Sequence, residues 1–592
     1  MPRALTCLLV ALLALITTPA DAQEILVRPY VQDATPSSAW ILWETTEADE
    51  SRVEWGTSEG ALDGTATGTA ITSEGAHRIH EVQLTGLLPG TRYYYRAHTA
   101  AAASEVYALT TPPARDVDVT FQMVAVSDMQ IDRANPTIYR EVVHDGIIDF
   151  LASEGGGALD EALAFVLVPG DLVHWGPDYE SWRTEFFEPS ADLLSYVPSY
   201  PVLGNHEENT DNYYRYFHLP ENGSVDDQDR WWAMDYANVR VIGLDSNLFL
   251  LTGAQRRFFE SALVEACDDE ATDFVFVEVH HAHRSELWPQ GETPLATSVV
   301  ERMNLFSDEC GKPSVHFYGH THGYSRGQSR DQSHLWINVA SAGGNIDYWG
   351  EYPEQRDVDE VSVSQDEWGF VLVDVTGGAD PSFRLRRVSR GNETLARDNE
   401  VRDEIVIHRY GESPARPMGE MPRGRVTREC DVAVASAFED PDGEEHGETH
   451  WQVAASCDDF ENPVFESHRA YENWYGGVDT QAGDDLTDEP LEALADETYY
   501  CWRVRYRDRG LLWSEWSEPI AFLYDAAGSG PADACSDATP LEAPLPDAGT
   551  TPPPDAPGGC GCRATSRSEP SGVWLIPLLG VAGWARGSRR RS

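Results

Sequence analysis

The chain has 592 residues, a length of roughly three to four domains, and its 41% hydrophobic and 10% aromatic content, with 18 Trp, is ample for packed cores. Its 99 acidic against 43 basic side chains give a formal charge of −56, which excludes nucleic acid as a natural partner because phosphate backbones require Lys and Arg. Any anionic substrate would need a local positive centre, with salt screening the remaining field.

The first 22 residues read as an export leader. Arg3 precedes an apolar stretch from Leu8 to Ile16, and Ala20-Asp21-Ala22 offers small residues for cleavage before Gln23. That stretch is too short to span a bilayer. Export permits disulfides. Beyond Cys7 of the leader, the cysteines are Cys267, Cys310, Cys430, Cys457, Cys501, Cys535, Cys560 and Cys562. Cys267 and Cys310 each end a predicted helix just before a strand and could lie side by side, and Cys457 and Cys501 could pair within a later domain. Spacing does not fix the connectivity.

Residues 23–113 alternate with period two, at Ser38 to Trp43, Arg52 to Trp55, Glu81 to Leu84 and Arg92 to Arg96, with turns such as Leu87-Leu88-Pro89-Gly90 between them. This predicts an antiparallel sandwich. Across 114–410 the pattern changes to strand then helix. Apolar runs at Phe121 to Val126, Ala164 to Val168, Tyr200 to Leu203, Phe274 to Val279 and Val315 to Tyr318 predict strands, and Pro136 to Phe150, Tyr179 to Phe187 and Gly253 to Cys267 predict helices. Late strands are expected at Leu335 to Val339, Gly369 to Val375 and Phe383 to Val388. Such alternation implies an α/β domain with a largely buried sheet.

Each of the first five apolar runs is followed by a polar cluster. In order these are Ser127-Asp128-Met129-Gln130, Gly170-Asp171-Leu172-Val173-His174, Gly204-Asn205-His206-Glu207, His280-His281-Ala282-His283 and Gly319-His320-Thr321-His322. Carboxylates, amide oxygens and imidazoles at the carboxyl ends of neighbouring strands form the donor set of a pair of borderline metals. Two ions about 3.5–4 Å apart can clamp a phosphate and make hydroxide at neutral pH.

Residues 411–525 return to strand-like alternation, ending at Tyr499 to Tyr506 and Trp513 to Trp516. Residues 526–559 are rich in Pro, Ala and Asp without apolar period and read as a flexible spacer. The tail, 560–592, runs from Cys560-Gly561-Cys562 through an apolar stretch, Val573 to Trp584, to Arg589-Arg590-Arg591. It resembles the C-terminal sorting segment of myxobacterial exported proteins, which implies delivery to the cell surface.

The five clusters in this order resemble the signature of the calcineurin-like metallophosphoesterases. Tyr213 to Phe217, Trp231 to Asp235 and the Gly323-Tyr324-Ser325-Arg326 that follows His322 are similar to the purple acid phosphatase branch, as is the sandwich before them. The resemblance implies an α/β four-layer metallophosphoesterase sandwich flanked by two all-β fibronectin type III-like sandwiches. It also implies two divalent or mixed-valence ions (manganese, zinc or iron). Carried over by position, Asp128 and His322 bind the first ion, Asn205, His280 and His320 the second, and Asp171 bridges them. Two departures stand out. His174 occupies the place of the tyrosine whose phenolate colours the purple enzymes, and Gln130 the place where other metallophosphoesterases carry a histidine. His174 is taken to complete the first site with Gln130 bonding nearby, the reverse being the alternative. Without a phenolate a divalent pair is expected.

The implied reaction is hydrolysis of a small phosphomonoester by metal-activated hydroxide, with His206 as general acid oriented by Glu207. His281, His283 and Tyr324 are candidates for substrate contact. Two other readings stay open: a phosphodiesterase or nucleotidase on the same site, and a surface adhesion protein with a decayed enzyme core.

Overall fold

A computed structural model describes residues 24–526, apart from 101, 223–228, 428–430 and 493. The expected leader, the spacer beyond residue 526, the sorting segment and Cys430, Cys535, Cys560 and Cys562 lie outside the described residues. Everything described falls within one compact unit, Met1–Leu541, and the second unit, Glu542–Ser592, is outside them.

Two sheets around one core make up the N-terminal part. One runs in the order Ile25–Thr35, Ser38–Thr45, Arg78–Thr85, Thr69–Thr72, and the other is built on Arg52–Gly56 and Arg92–Thr99. Strict alternation along Arg92–Thr99 sends Tyr93, Tyr95 and Ala97 inward to meet Val31, Ile41, Trp43 and Val53. Glu44 anchors this sandwich to the central part of the chain, because its buried carboxylate accepts the hydroxyls of Tyr179 (2.9 Å) and Tyr216 (3.0 Å).

The central part holds two mixed sheets. The first has the order Ser199–Pro201, Phe165–Val168, Thr120–Ala125, Trp368–Thr376, Ser382–Asn392, Leu395–His408. Its first three strands are parallel and the rest antiparallel. The second is nine-stranded and carries Phe274–Glu278, Ser314–Tyr318 and His334–Asn338 in parallel at its middle. Met123, Val166, Phe276, Phe317 and Phe383 belong to one apolar core that joins the two sheets. Helices Gly253–Asp268 and Pro294–Cys310 cover a second core on the nine-stranded sheet. Their ends are joined by Cys267–Cys310. The helices expected at Pro136 to Phe150 and Tyr179 to Phe187 form over 138–153 and 179–194, each widened into a π-helical turn, over Val142–Ile148 and Trp182–Phe187.

A third β-rich part comes next, with a three-stranded and a five-stranded sheet sharing Val426, Ala433, Trp451, Trp502 and Phe522. Cys457–Cys501 ties the central strand Thr498–Asp508 to the loop that follows His446–Ala454. Trp513 to Trp516 is not a strand here. It keeps one antiparallel bridge, Arg507 to Trp513, and the amides of Ser514 and Ser517 still donate to the Tyr506 and Val504 carbonyls (2.7 and 2.8 Å). The guanidinium groups of Arg503, Arg505 and Arg507 on that neighbouring strand interleave with the two indoles, 4.0 to 5.3 Å from the ring centres. No helix among the described residues is long and apolar enough to cross a membrane.

Candidate metal centre

All five polar clusters follow the carboxyl ends of strands, three on neighbouring strands of the six-stranded sheet and two on neighbouring strands of the nine-stranded one, and three of them turn sharply. Asp128 (φ 62°), Asp171 (φ 54°) and His320 (φ 71°) sit in the left-handed region, which non-glycine residues rarely occupy and which costs about 1–3 kcal/mol each. Local hydrogen bonds hold the strain. Gly343 and Gly344 donate to the Asp128 carbonyl (3.0 and 2.8 Å), and the His320 amide donates to the Asp128 carboxylate (3.1 Å). Glycines allow the loops to touch: a Cβ on Gly204 would overlap the Asp171 carboxylate, and one on Gly319 that of Asp128.

The side chains form a continuous line. Asp128 Oδ1 lies 3.2 Å from His322 Nε2, which is 3.4 Å from Gln130 Nε2. Gln130 reaches Asp171 Oδ2 (3.2 Å), Asp171 Oδ2 lies 3.2 Å from His280 Nε2, and His280 Nε2 is 3.0 Å from Asn205 Oδ1. Ligand atoms of Asp171, His280 and His320 lie within 4.8 Å of one another. Tautomers are set from behind: His280 Nδ1 donates to the Pro169 carbonyl (2.9 Å) and His322 Nδ1 to the Asn345 carbonyl (2.6 Å), so both Nε2 atoms face the cluster.

The charges in the cluster call for a cation. Burial opposes an imidazolium at His322, yet the Asp128 carboxylate beside it lifts the pKa to about 9. At His280 burial is likewise overridden by Asp171, whose own carboxyl is held below the usual range by His280 and His206 despite its burial. His320, buried and facing His280 and His281, is pushed down and stays neutral. Protons on His280 and His322 thus supply the positive charge that two buried carboxylates require, at the positions where a metal would supply it. The donor set fits the implied ions: two carboxylates, two amide oxygens and three imidazoles. One of those amide oxygens, Gln130 Oε1, is buried with no hydrogen-bond partner.

Several expected roles change. His174 does not join this line: its ring is exposed and packs 5.5 Å from that of His206, while Gln130 is buried inside the cluster. Glu207 does not reach the His206 ring. Its oxygens accept the amides of Gly204 (2.7 Å), Leu172 (2.8 Å) and Asp171 (3.0 Å), tying two ligand loops together, and burial beside Asp171 raises its pKa. The His174 carbonyl orients His206 instead, accepting from Nδ1 at 2.5 Å and leaving Nε2 3.8 Å from Asp171 Oδ2. His283 is buried against Thr297 and Trp336, away from the cluster, and Tyr324 is buried with its hydroxyl on Asp403 (2.6 Å). Neither can meet a substrate. His281 stays beside the cluster, its ring 4.5 Å from that of His320 and its Nδ1 at Ser246 Oγ (2.8 Å).

Sequence reasoning missed Ser246, whose hydroxyl also accepts the amides of His280 (3.1 Å) and His281 (3.0 Å), and Asn247, which donates to the Gly204 carbonyl (3.0 Å). Asp245-Ser246-Asn247 is another polar cluster at a strand end, after Val239–Gly243, and that signal was readable. Trp288, with its ring 5.0 Å from that of His320, carried no such signal. A separate group, His450, Glu466 and His468, offers three donors on adjacent strands. Arg505 donates to His450 Nδ1 (3.0 Å), which fixes the neutral ring's proton on Nε2 toward Glu466 (2.8 Å), so two of the three donors are already engaged, and His468 stacks on His450.

Residues 27–111 match the family described as purple acid phosphatase, N-terminal domain, and residues 123–324 match calcineurin-like phosphoesterase. Among solved structures the chain is similar to purple acid phosphatase PPD1 from yellow lupin (Lupinus luteus) seeds, at 16% identity and TM-score 0.51, covering 64% of this chain and 73% of that one. It is also similar to PhoD, at 15% identity and TM-score 0.50, covering 65% and 90%. No curated protein matches the sequence. The chain carries a calcineurin-like phosphoesterase domain and is a metallophosphoesterase hydrolase.

Proposed function

We propose that the chain hydrolyses phosphomonoesters at two metal ions, one held by Asp128, Gln130 and His322, the other by Asn205, His280 and His320, with Asp171 between them. The observation that carries this reading is the unbroken side-chain line from Asp128 to Asn205, in which Asp171 is central. When bound, the ions acidify water and neutralise the phosphate oxygens. The protein's own groups do the rest. Asn205 is exposed and His206 half-exposed, so the cluster is open where an ester would enter. With Nδ1–H on the His174 carbonyl, a protonated His206 presents Nε2–H to the departing oxygen. Water oxygen bonds to phosphorus and the ester P–O bond breaks; the His206 proton goes to the leaving alkoxide, the protons of the attacking water stay with the phosphate product or pass to solvent, and solvent reprotonates His206.

This reading takes the two central sheets and their helices as the four-layer metallophosphoesterase sandwich, and the flanking sandwiches as fibronectin type III-like. It takes the chain as exported and held at the cell surface by its tail. His206→Ala tests the proton-donor role. Turnover of an alkyl phosphate is expected to fall about 10²–10³-fold, and that of nitrophenyl phosphate, which needs no proton, far less. Equal losses on both would remove the role. Comparing mono- with bis-nitrophenyl phosphate in the same assay separates a monoesterase from a diesterase.

A further inference from the structure

The nine-stranded central sheet does not end with its own strands. Its last two, Trp474–Tyr475 and Val478–Asp479, come from the C-terminal sandwich, and Trp474 pairs in parallel with Val363 of the strand Val361–Gln365. This ribbon lies beyond the segments that match either family. A bare sheet edge could be covered in many ways. This cover, however, makes two specific connections toward His322.

The first runs through the loop that holds His322 and Asp128 from behind. In that loop Asn345 accepts from His322 Nδ1, Asp347 accepts the His322 amide (2.7 Å), and Gly343 and Gly344 donate to the Asp128 carbonyl. Tyr352 steadies Asp347 with its hydroxyl (3.0 Å). Trp349, in the same loop, meets Tyr475 of the ribbon edge to face, with ring centres 4.9 Å apart. The second connection starts two residues after His322. Tyr324 donates to Asp403, which pairs with the buried Arg326 (2.8 and 3.1 Å), and Arg326 Nη2 also binds Glu472 and the Tyr471 hydroxyl of the ribbon. A guanidinium this deeply buried depends on its carboxylates, so Glu472 has a direct influence on the strand that begins at Tyr324.

We propose that the ribbon Tyr471–Asp479 is a positioning element for the Asp128/His322 side of the centre, with Tyr475 acting through Trp349 and Glu472 through Arg326. The C-terminal sandwich is then a working part of the site, not an appendage. The inference rests on the two-ion reading, and the ribbon makes no comparable contact with Asn205, His280 or His320 among the described residues.

Titration of metal-stripped full-length protein with Zn²⁺ against a chromophoric chelator tests it. In Tyr475→Ala the affinity of one of the two sites is expected to fall about tenfold, in the range known for groups that support metal ligands, while the other is unchanged. Tyr475→Phe, which keeps the ring contact, restores it. Glu472→Gln shifts the same site in the same direction. In a His322→Ala background Tyr475→Ala adds nothing. Unchanged affinity at both sites in Tyr475→Ala, or equal weakening of both, would overturn the proposal. A wild-type protein that takes up fewer than two ions would instead overturn the two-ion reading.

Discussion

Asp171→Asn is expected to hold one metal ion or none after dialysis and to lose turnover by about 10³-fold or more, equivalent to about 4 kcal/mol of transition-state stabilisation. The Asp171 carboxylate meets ligand side chains of both halves, reaching Gln130 on one side and His280 on the other, whereas Asp128 meets the second half only through the backbone amide of His320. An amide carries no charge to offset two neighbouring cations, and it places an N–H₂ where one of the oxygens stood. Removing the charge also removes what holds a proton on His280, since burial alone favours the neutral ring. The imidazole of His280 in the stripped variant should therefore titrate well below its wild-type position, which NMR of the ring protons reads directly. A variant that keeps two ions and wild-type turnover would contradict the bridging role.

Gly204→Ala is expected to be nearly as damaging through a single methyl group. The added Cβ would overlap the Asp171 carboxylate and its backbone amide, and Glu207 clasps these same loops by accepting the Gly204 and Asp171 amides. Relieving the clash separates the loop at 204–207, which carries Asn205, from the loop that carries Asp171. Metal content should fall, with activity down by on the order of 10²-fold, a loss typical of misplacing reacting groups by about 1 Å. The thermal unfolding midpoint, set by apolar cores that Gly204 does not join, should change little. Retained metal binding in this variant would show that the loops can part without disturbing the centre.

The strands that carry the centre were legible because an apolar run followed by Gly, Asp, Asn or His is a local signal. Cys267–Cys310 and Cys457–Cys501 were pairings that the positions of their helices and strands allowed without fixing, and the structure joins both. Which residue after each aspartate faces the cluster was not legible. The left-handed turn at Asp128 sends Met129 into the core and Gln130 into the cluster. At Asp171 the same turn buries both Leu172 and Val173 and brings His174 out to solvent. A count of residues from the aspartate carries no information about that difference.

Tyr324 and His283 misled for another reason. Every residue of Tyr324–Gln328 is buried, so period-two alternation could not say which face meets the substrate. His283 points to the helix side, where Thr297 holds it. The ribbon from the C-terminal sandwich left no trace in the sequence, because two-residue strands have no periodicity and Val363 and Trp474 are far apart in the chain. Long-range pairings of this kind are set by the packing of whole domains.

Anomalous diffraction from crystals of the protein loaded with Zn²⁺ or Mn²⁺ puts the central claim to its most direct test. Two peaks about 3.5–4 Å apart, one on each side of the Asp171 carboxylate, are the expected result. A single peak, or ions gathered at His450 and His468 with none at Asp171, would contradict it.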